Sequence, residues 1–253
     1  MDSETLIEQP AKPDAAESVV AYVRDLLSKG EVKPGDRLPA ERDLALEIGV
    51  SRPSVRAGLQ ALAAMGVVDS RRGSGTYIST GPPVLSSGPL QLLAILHGIP
   101  RAEIFEARRV LEARTARLAV ERAAGESLAE ISEEVMGMFA STGDPQEFLL
   151  HDIRFHRAVA RASGNMVLSA LVEMVSEIFY EQRKATAGLD RDLRISAEEH
   201  RRIYQAIRDR DPDAAERELD GHLRASLERQ ERENRNHAQA LQKDGNPKRK
   251  KGS

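Results

Sequence analysis

The sequence predicts a mainly α chain in two parts: a helix, turn and helix closed by a small hairpin, then an antiparallel all-α bundle. Three observations predict it. Ala, Leu, Glu and Arg dominate a chain with 4% aromatic residues and no tryptophan, a composition that favours helices. Between Leu38 and Ile78 two helical stretches and two short strand-like runs follow one another closely. Beyond Leu90 no alternating strand pattern appears, and helical periodicity runs on with Gly98, Gly125, Gly143, Gly164, Gly188 and Pro212 as punctuation. At 253 residues the chain can bury a real core, and two domains are the natural division.

Each element has its own grounds. Residues 1–13 are polar and broken by Pro10 and Pro13, so a flexible arm is expected. From Ala15, the residues Val19, Val20, Val23, Leu26 and Leu27 recur at helical spacing up to Gly30, and Lys33-Pro34-Gly35-Asp36 is a turn. The next helix ends at Ile48-Gly49-Val50. Ser51 can cap a further helix that opens Arg52-Pro53-Ser54, because its hydroxyl accepts an orphan first-turn N–H and proline there loses no partner. Arg52, Ser54 and Arg56 then lie at or near a free N-terminal end, with Leu59, Leu62 and Met65 on the other face. Val67-Val68-Asp69 can pair with Thr76-Tyr77-Ile78 across a basic, glycine-rich tip at 71–75. A helix that presents short polar and arginine side chains at its free N-terminus suits the DNA major groove.

Residues 14–80 form this first domain, and the Pro/Gly/Ser-rich stretch 81–89 reads as a linker. Residues 90–234 form the bundle, with helices expected near 90–97, 101–124, 127–140, 145–162, 165–187, 191–209 and 213–234. Met166–Phe179 is apolar on most sides and is expected to be a central helix. Residues 235–253, ending PKRKKGS, are expected to be a solvated, disordered tail.

Whole-chain properties narrow the function. Net charge is only −3, so no global basic field marks a nucleic-acid binder. Charge is local: from Ser51 to Thr80, Arg52, Arg56, Arg71 and Arg72 face only Asp69, a surplus of three positive charges. Zero cysteines exclude disulfides and thiolate metal sites and suit a reducing compartment. With an acidic N-terminus lacking a signal-peptide core and no membrane-length apolar run, a cytoplasmic protein with no membrane partner is the expectation.

Leu38-Pro39-Ala40-Glu41-Arg42, Val50-Ser51-Arg52-Pro53-Ser54-Val55-Arg56 and Gly73-Ser74-Gly75-Thr76-Tyr77-Ile78 together resemble the winged helix-turn-helix of the GntR regulators. Gly58 stands where that pattern has alanine, which reads as a mild weakening of the helix. The resemblance places DNA contacts on Arg42, Ser51, Arg52, Ser54, Arg56, Arg72 and Gly73. Arginine reads guanine O6 and N7, so Arg52 and Arg56 are the expected base readers. Arg42, Ser51 and Ser54 are expected on phosphates, and Gly73 lets the wing backbone approach the minor groove. Glu41 and Asp43 read as first-turn charges that favour the helix dipole.

A second constellation lies in the bundle. Asp152 and His156 are four residues apart on one helix and so share a face. His200 and His222 each lie 11 positions from Asp211, on opposite sides of the Asp211-Pro212 turn. If those two helices fold back antiparallel, both imidazoles sit at one height. Such a cysteine-free set suits zinc, nickel, cobalt, iron or manganese, although the same spacing fits hydrogen-bonded core histidines.

Glu106-Ala107-Arg108-Arg109-x-x-Glu112, Asp152-x-x-x-His156, Ser163-Gly164-Asn165, His200 and His222 are similar to the FCD effector domain of the FadR-type GntR branch. That resemblance implies that Asp152, His156, His200 and His222 bind a divalent metal, zinc first, at the floor of a cavity for a small organic acid. Arg108 is expected to face the cavity, or else to be an exposed charge paired with Glu112; Asn165 lines it, or else merely starts a helix. His151 is expected at the surface. The expected function is therefore a ligand-responsive transcription regulator, a repressor, binding a palindromic operator as a homodimer. Two other classes are a metal-dependent hydrolase, for which no base stands out, and an architectural DNA binder without an effector.

Overall fold

The computed structural model describes residues 14–82, 84–186 and 193–244. The arm at 1–13, Pro83 of the linker, Gly188 and residues 245–253 of the tail lie outside the described residues. The chain divides into two compact units, Met1–Ser86 and Ser87–Ser253.

The first unit holds α1 (Ala15–Lys29), α2 (Glu41–Ile48), α3 (Arg52–Ala64), β1 (Val68–Arg71) and β2 (Gly75–Ile78). At its start the Asp14 N–H donates to the Glu17 carboxylate at 3.2 Å, and Gly30 closes α1 in the left-handed region at φ 71°. Ser51 caps α3 by accepting the Ser54 N–H at 3.3 Å. β1 and β2 pair antiparallel with Val68 opposite Ile78 and Arg71 opposite Gly75, so the tip is Arg72-Gly73-Ser74. Val19, Val23, Leu38, Leu44, Val55, Leu59, Leu62, Val68 and Ile78 form one buried core beneath these elements.

Two expectations for this unit need correction. Met65 does not join the buried face of α3; it is the helix's C-terminal cap, 58% exposed, because the chain turns away at Gly66. Gly58 is more than a weak helix former. It is buried on α3, and a Cβ there would come within 2.5 Å of Val19 Cβ and 2.8 Å of the Ala16 carbonyl. Glycine is what lets α1 lie directly on α3.

The second unit is all helix among the described residues: α4 (Gly88–His97), α5 (Arg101–Arg122), α6 (Gly125–Ala140), α7 (Pro145–Ala162), α8 (Met166–Thr186), α9 (Leu193–Arg208) and α10 (Pro212–Asp244). Asp144 caps α7 by accepting from Gln146 and Glu147, and Asp211 caps α10 by accepting the Ala214 N–H at 2.9 Å. The core runs from Phe105 and Ala116 through Phe148, Phe155 and Phe179 to Ile203, Ile207, Leu219 and Leu223.

The helix at the centre is α5, which packs on α7, α8, α9 and α10. The expectation that Met166–Phe179 would be central is corrected: Val172, Val175 and Phe179 of α8 are buried, but Met166 and Val167 are exposed at its start. Its polar residues Glu173, Ser176, Glu177, Tyr180 and Arg183 lie along one stripe that lines a cavity. The tail expected from residue 235 is also corrected in part, because α10 continues to Asp244. Arg, Gln, Ala, Leu and Lys in 235–244 are strong helix formers, and no proline or glycine interrupts them before Gly245. Their polarity made the segment resemble coil.

Candidate metal centre and nucleic-acid interface

Asp152 and His156 project from one face of α7, and His200 and His222 from α9 and α10. The Asp211 cap turns α10 back along α9, and the two equidistant imidazoles meet with ring centroids 4.1 Å apart. His156 stacks on His222 at 5.5 Å, and the His156 and His200 Nε2 atoms are 3.4 Å apart. One ligand atom from each of the four residues lies within 4.8 Å of every other, and all four side chains are buried.

The outer nitrogen of each ring faces an oxygen acceptor. His200 Nδ1 donates to the Ser196 carbonyl at 2.7 Å, and His222 Nδ1 lies 2.8 Å from Glu199 Oε2. His156 Nδ1 lies 2.5 Å from Glu112 Oε2, although out of line for a regular hydrogen bond. Each ring thus keeps Nε2 as the nitrogen that can face the cluster. Those carboxylates are anchored in turn: Arg229 holds Glu199 through two bonds of 2.9 and 2.7 Å, and Arg108 and Ser176 donate to Glu112 at 2.5 and 3.1 Å.

The electrostatics favour the ligand forms. Burial, reinforced by the neighbouring His200, pushes His222 down to about 3, and burial likewise lowers His200. Burial alone would raise Asp152, but Arg183 and His200 outweigh it and hold the carboxyl well below the usual range. Neutral imidazoles and an ionised carboxylate are the donor set a divalent transition metal takes. Asp152 Oδ2 accepts from Arg183 at 2.6 Å, whereas Oδ1 is buried with no hydrogen-bond partner, 3.3 Å from His200 Nε2. An orphaned anionic oxygen beside three inward imidazoles fits a cation.

A cavity of about 320 Å³ adjoins the cluster, lined by Asp152 and His156 together with Arg108, Ser176, Tyr180 and Arg183. Arg108 satisfies both expectations at once: it pairs with Glu112 at i+4, yet it is buried and lines the cavity. Asn165 is corrected as a cavity residue. Its carboxamide oxygen accepts the Val167 and Leu168 N–H groups at 3.1 Å and so caps α8. His151 is half-buried rather than at the surface, hydrogen-bonded through Nδ1 to Glu134 at 2.7 Å and seated over Gly137.

Sequence reasoning missed Glu199, Arg229 and Arg183. Glu199 neighbours His200 in sequence but points elsewhere on the helix. Its partner Arg229 lies seven residues after His222 on the same face of α10, a signal the sequence does carry. Arg183 was equally legible as the last member of the polar stripe on α8.

In the first unit, Ser51, Arg52, Ser54 and Arg56 are brought together at the exposed start of α3, with the Ser51 and Ser54 hydroxyls 2.8 Å apart. Arg42 is exposed on α2 beside Asp43, and Arg72 and Gly73 stand at the open wing tip. Glu41 does more than charge the first turn of its helix: it accepts from Arg56 Nε at 3.3 Å and from Nη2 at 2.8 Å.

Residues 15–78 match the family model described as bacterial regulatory proteins, gntR family, and residues 103–225 match the FCD domain. The chain is 33% identical over 187 residues to the HTH-type transcriptional regulator LutR of Bacillus subtilis (strain 168), spanning 72% of this chain and 85% of the relative. It is 32% identical over 222 residues to the HTH-type transcriptional repressor NanR of Klebsiella aerogenes, spanning 85% of each. A solved Streptococcus agalactiae GntR superposes with a TM-score of 0.65 at 27% identity, covering 86% of this chain and 99% of that one.

Proposed function

The chain belongs to the GntR family and is a transcriptional regulator with an FCD effector domain, and from that premise we propose a metal-dependent, acid-responsive repressor. Like its relatives it is not an enzyme. Asp152, His156, His200 and His222 hold one divalent metal, zinc first, with nickel, cobalt, iron or manganese also suited. Glu112, the Ser196 carbonyl and Glu199 fix the rings that point at it. When bound, the metal supplies a positive Lewis-acidic centre for a carboxylate oxygen at the cavity floor. Arg108 and Arg183 line that cavity and are suited to the remaining charge of a small organic acid. The observation that carries this reading is the buried three-histidine, one-aspartate cluster opening on an arginine-lined cavity.

At the other end of the chain, Arg52 and Arg56 read base edges, Arg42, Ser51 and Ser54 hold phosphates, and Arg72-Gly73 carries the wing to the minor groove. One recognition helix reads too few base pairs for genomic specificity, so two copies engage a palindromic operator. The homodimer is supported by α4, whose Leu92, Ile95 and Leu96 are 69%, 79% and 74% exposed. The acid changes operator affinity only insofar as it binds the DNA-competent and incompetent arrangements differently. The repressor sign rests on the NanR relative.

The test is elemental analysis of protein purified without added metal, beside a variant carrying His156→Ala and His200→Ala. Stoichiometric metal in the wild type and none in the variant is expected. Metal retained in the variant overturns the site. A panel of organic acids then tests operator release, and a metal-loaded protein whose operator affinity no acid changes overturns the effector reading.

A further inference from the structure

The Arg56 guanidinium has five N–H donors arranged along two usable edges. Glu41 occupies the Nε/Nη2 edge with both carboxylate oxygens, at 3.3 and 2.8 Å. The other edge, one hydrogen each from Nη1 and Nη2, is untouched by that contact. Those two parallel donors are what guanine O6 and N7 accept in bidentate readout. The Arg56 and Glu41 side chains are 59% and 33% exposed, so the pair stands on the surface where α2 and α3 meet. A surface ion pair of this kind contributes little to stability. Its geometric effect is larger: a long side chain with many rotamers is held with one edge filled and the other presented.

We propose that Glu41 is a positioning residue for sequence readout, a carboxylate buttress that orients Arg56 toward guanine. This deepens the reading of α3 as the recognition helix and rests on it. A carboxylate close to DNA also repels phosphate, so the buttress lowers sequence-independent affinity while sharpening choice at one base pair. Contact strength and selectivity therefore move in opposite directions when Glu41 is changed. A residue that only helps α2 to fold moves them together.

The experiment uses the full-length protein and a randomised duplex DNA pool, selected in parallel by wild type, Arg56→Ala, Glu41→Gln and Glu41→Ala. Arg56→Ala identifies the base position that Arg56 reads, where discrimination falls by about 5- to 100-fold. Both Glu41 variants are expected to lose about three- to tenfold of discrimination at that same position and none elsewhere, the cost of leaving a rotamer-rich side chain unfixed. Their affinity for an unrelated duplex is expected to hold or rise, and their far-ultraviolet circular dichroism to match the wild type. If Arg56→Ala alters the selected motif but Glu41→Gln does not, the buttress is overturned and the recognition helix stands. If Arg56→Ala leaves the motif unchanged, the reader role of Arg56 fails and the buttress falls with it. Equal loss of specific and unrelated affinity in both Glu41 variants overturns the proposal in favour of a merely structural residue.

Discussion

Gly58→Ala is the substitution on which two physical effects disagree in sign. Helix propensity alone favours alanine over glycine by about 1 kcal/mol in a helix interior. Position 58 is mid-helix in α3, so that gain applies in full. Against it stands the packing of α1. The added Cβ would lie 2.5 Å from Val19 Cβ, 2.9 Å from Val19 Cγ1 and 2.8 Å from the Ala16 carbonyl. Comfortable carbon contacts are about 3.5–4.0 Å, so α1 must retreat by about 1 Å at its closest point. Neither neighbour can yield cheaply: one is backbone, the other the branch carbon of a stiff, fully buried valine. Overpacking of this type costs about 1–3 kcal/mol, and rigid neighbours place this site at the upper end, leaving a net loss of about 1–2 kcal/mol. For a unit of this size, that lowers the midpoint of its thermal transition by about 5 °C or more. Thermal unfolding followed by circular dichroism measures it, with amide exchange in α1 and α3 assigning the change to this unit. An unchanged or raised midpoint would refute the close-approach account and leave propensity as the dominant effect.

Three further outcomes follow from the bundle. Glu199→Ala strips the support from His222 Nδ1 and removes the Glu199 contacts of Arg229, so zinc affinity should fall by about 10- to 100-fold in competition with a chelating dye; unchanged affinity would remove Glu199 from the site's support. Metal-free protein should lose stability as pH falls below 6.5: His222, held at about 3 when folded, takes up its proton only on unfolding, so the unfolded state binds more protons across that window. Denaturation midpoints between pH 7.5 and 5 measure this, and a flat profile would contradict a neutral buried His222. Asn165→Ala removes the cap of α8 and should cost about 1 kcal/mol without altering the response to any acid. A lost acid response at unchanged stability would restore Asn165 to the cavity.

How much of this was legible depends on which residues carry period and which carry only pairing. The i, i+4 spacing of Asp152 and His156, and the equal offsets of His200 and His222 about Asp211-Pro212, are geometric facts of a helix and a helical hairpin. Two pairs of side chains could therefore be placed from their numbers, and the resemblance to the FCD domain is what joined them into one set of four. The anchors behind them, Glu112, Glu199, Arg108 and Arg229, are charged residues that a hydropathy pattern assigns to solvent, yet Glu112 is 2% exposed. The same bias displaced the centre of the bundle. The central helix α5 hides Arg108, Glu112 and Thr115 on its buried face, so its apolar stripe is broken where the site needs polar atoms. The more apolar α8 reads as the central helix instead, although its polar stripe from Glu173 to Arg183 lines the cavity. In the DNA-binding unit the reverse holds. Ser51, Arg52 and the wing glycines are local signals and could be placed at once, whereas Gly58 reads as a defect until Val19 is seen above it. Local chemistry and helical period reach the sequence reader directly. A buried ion pair or a close backbone approach is a relation between residues far apart in the chain, and only the fold makes that relation visible.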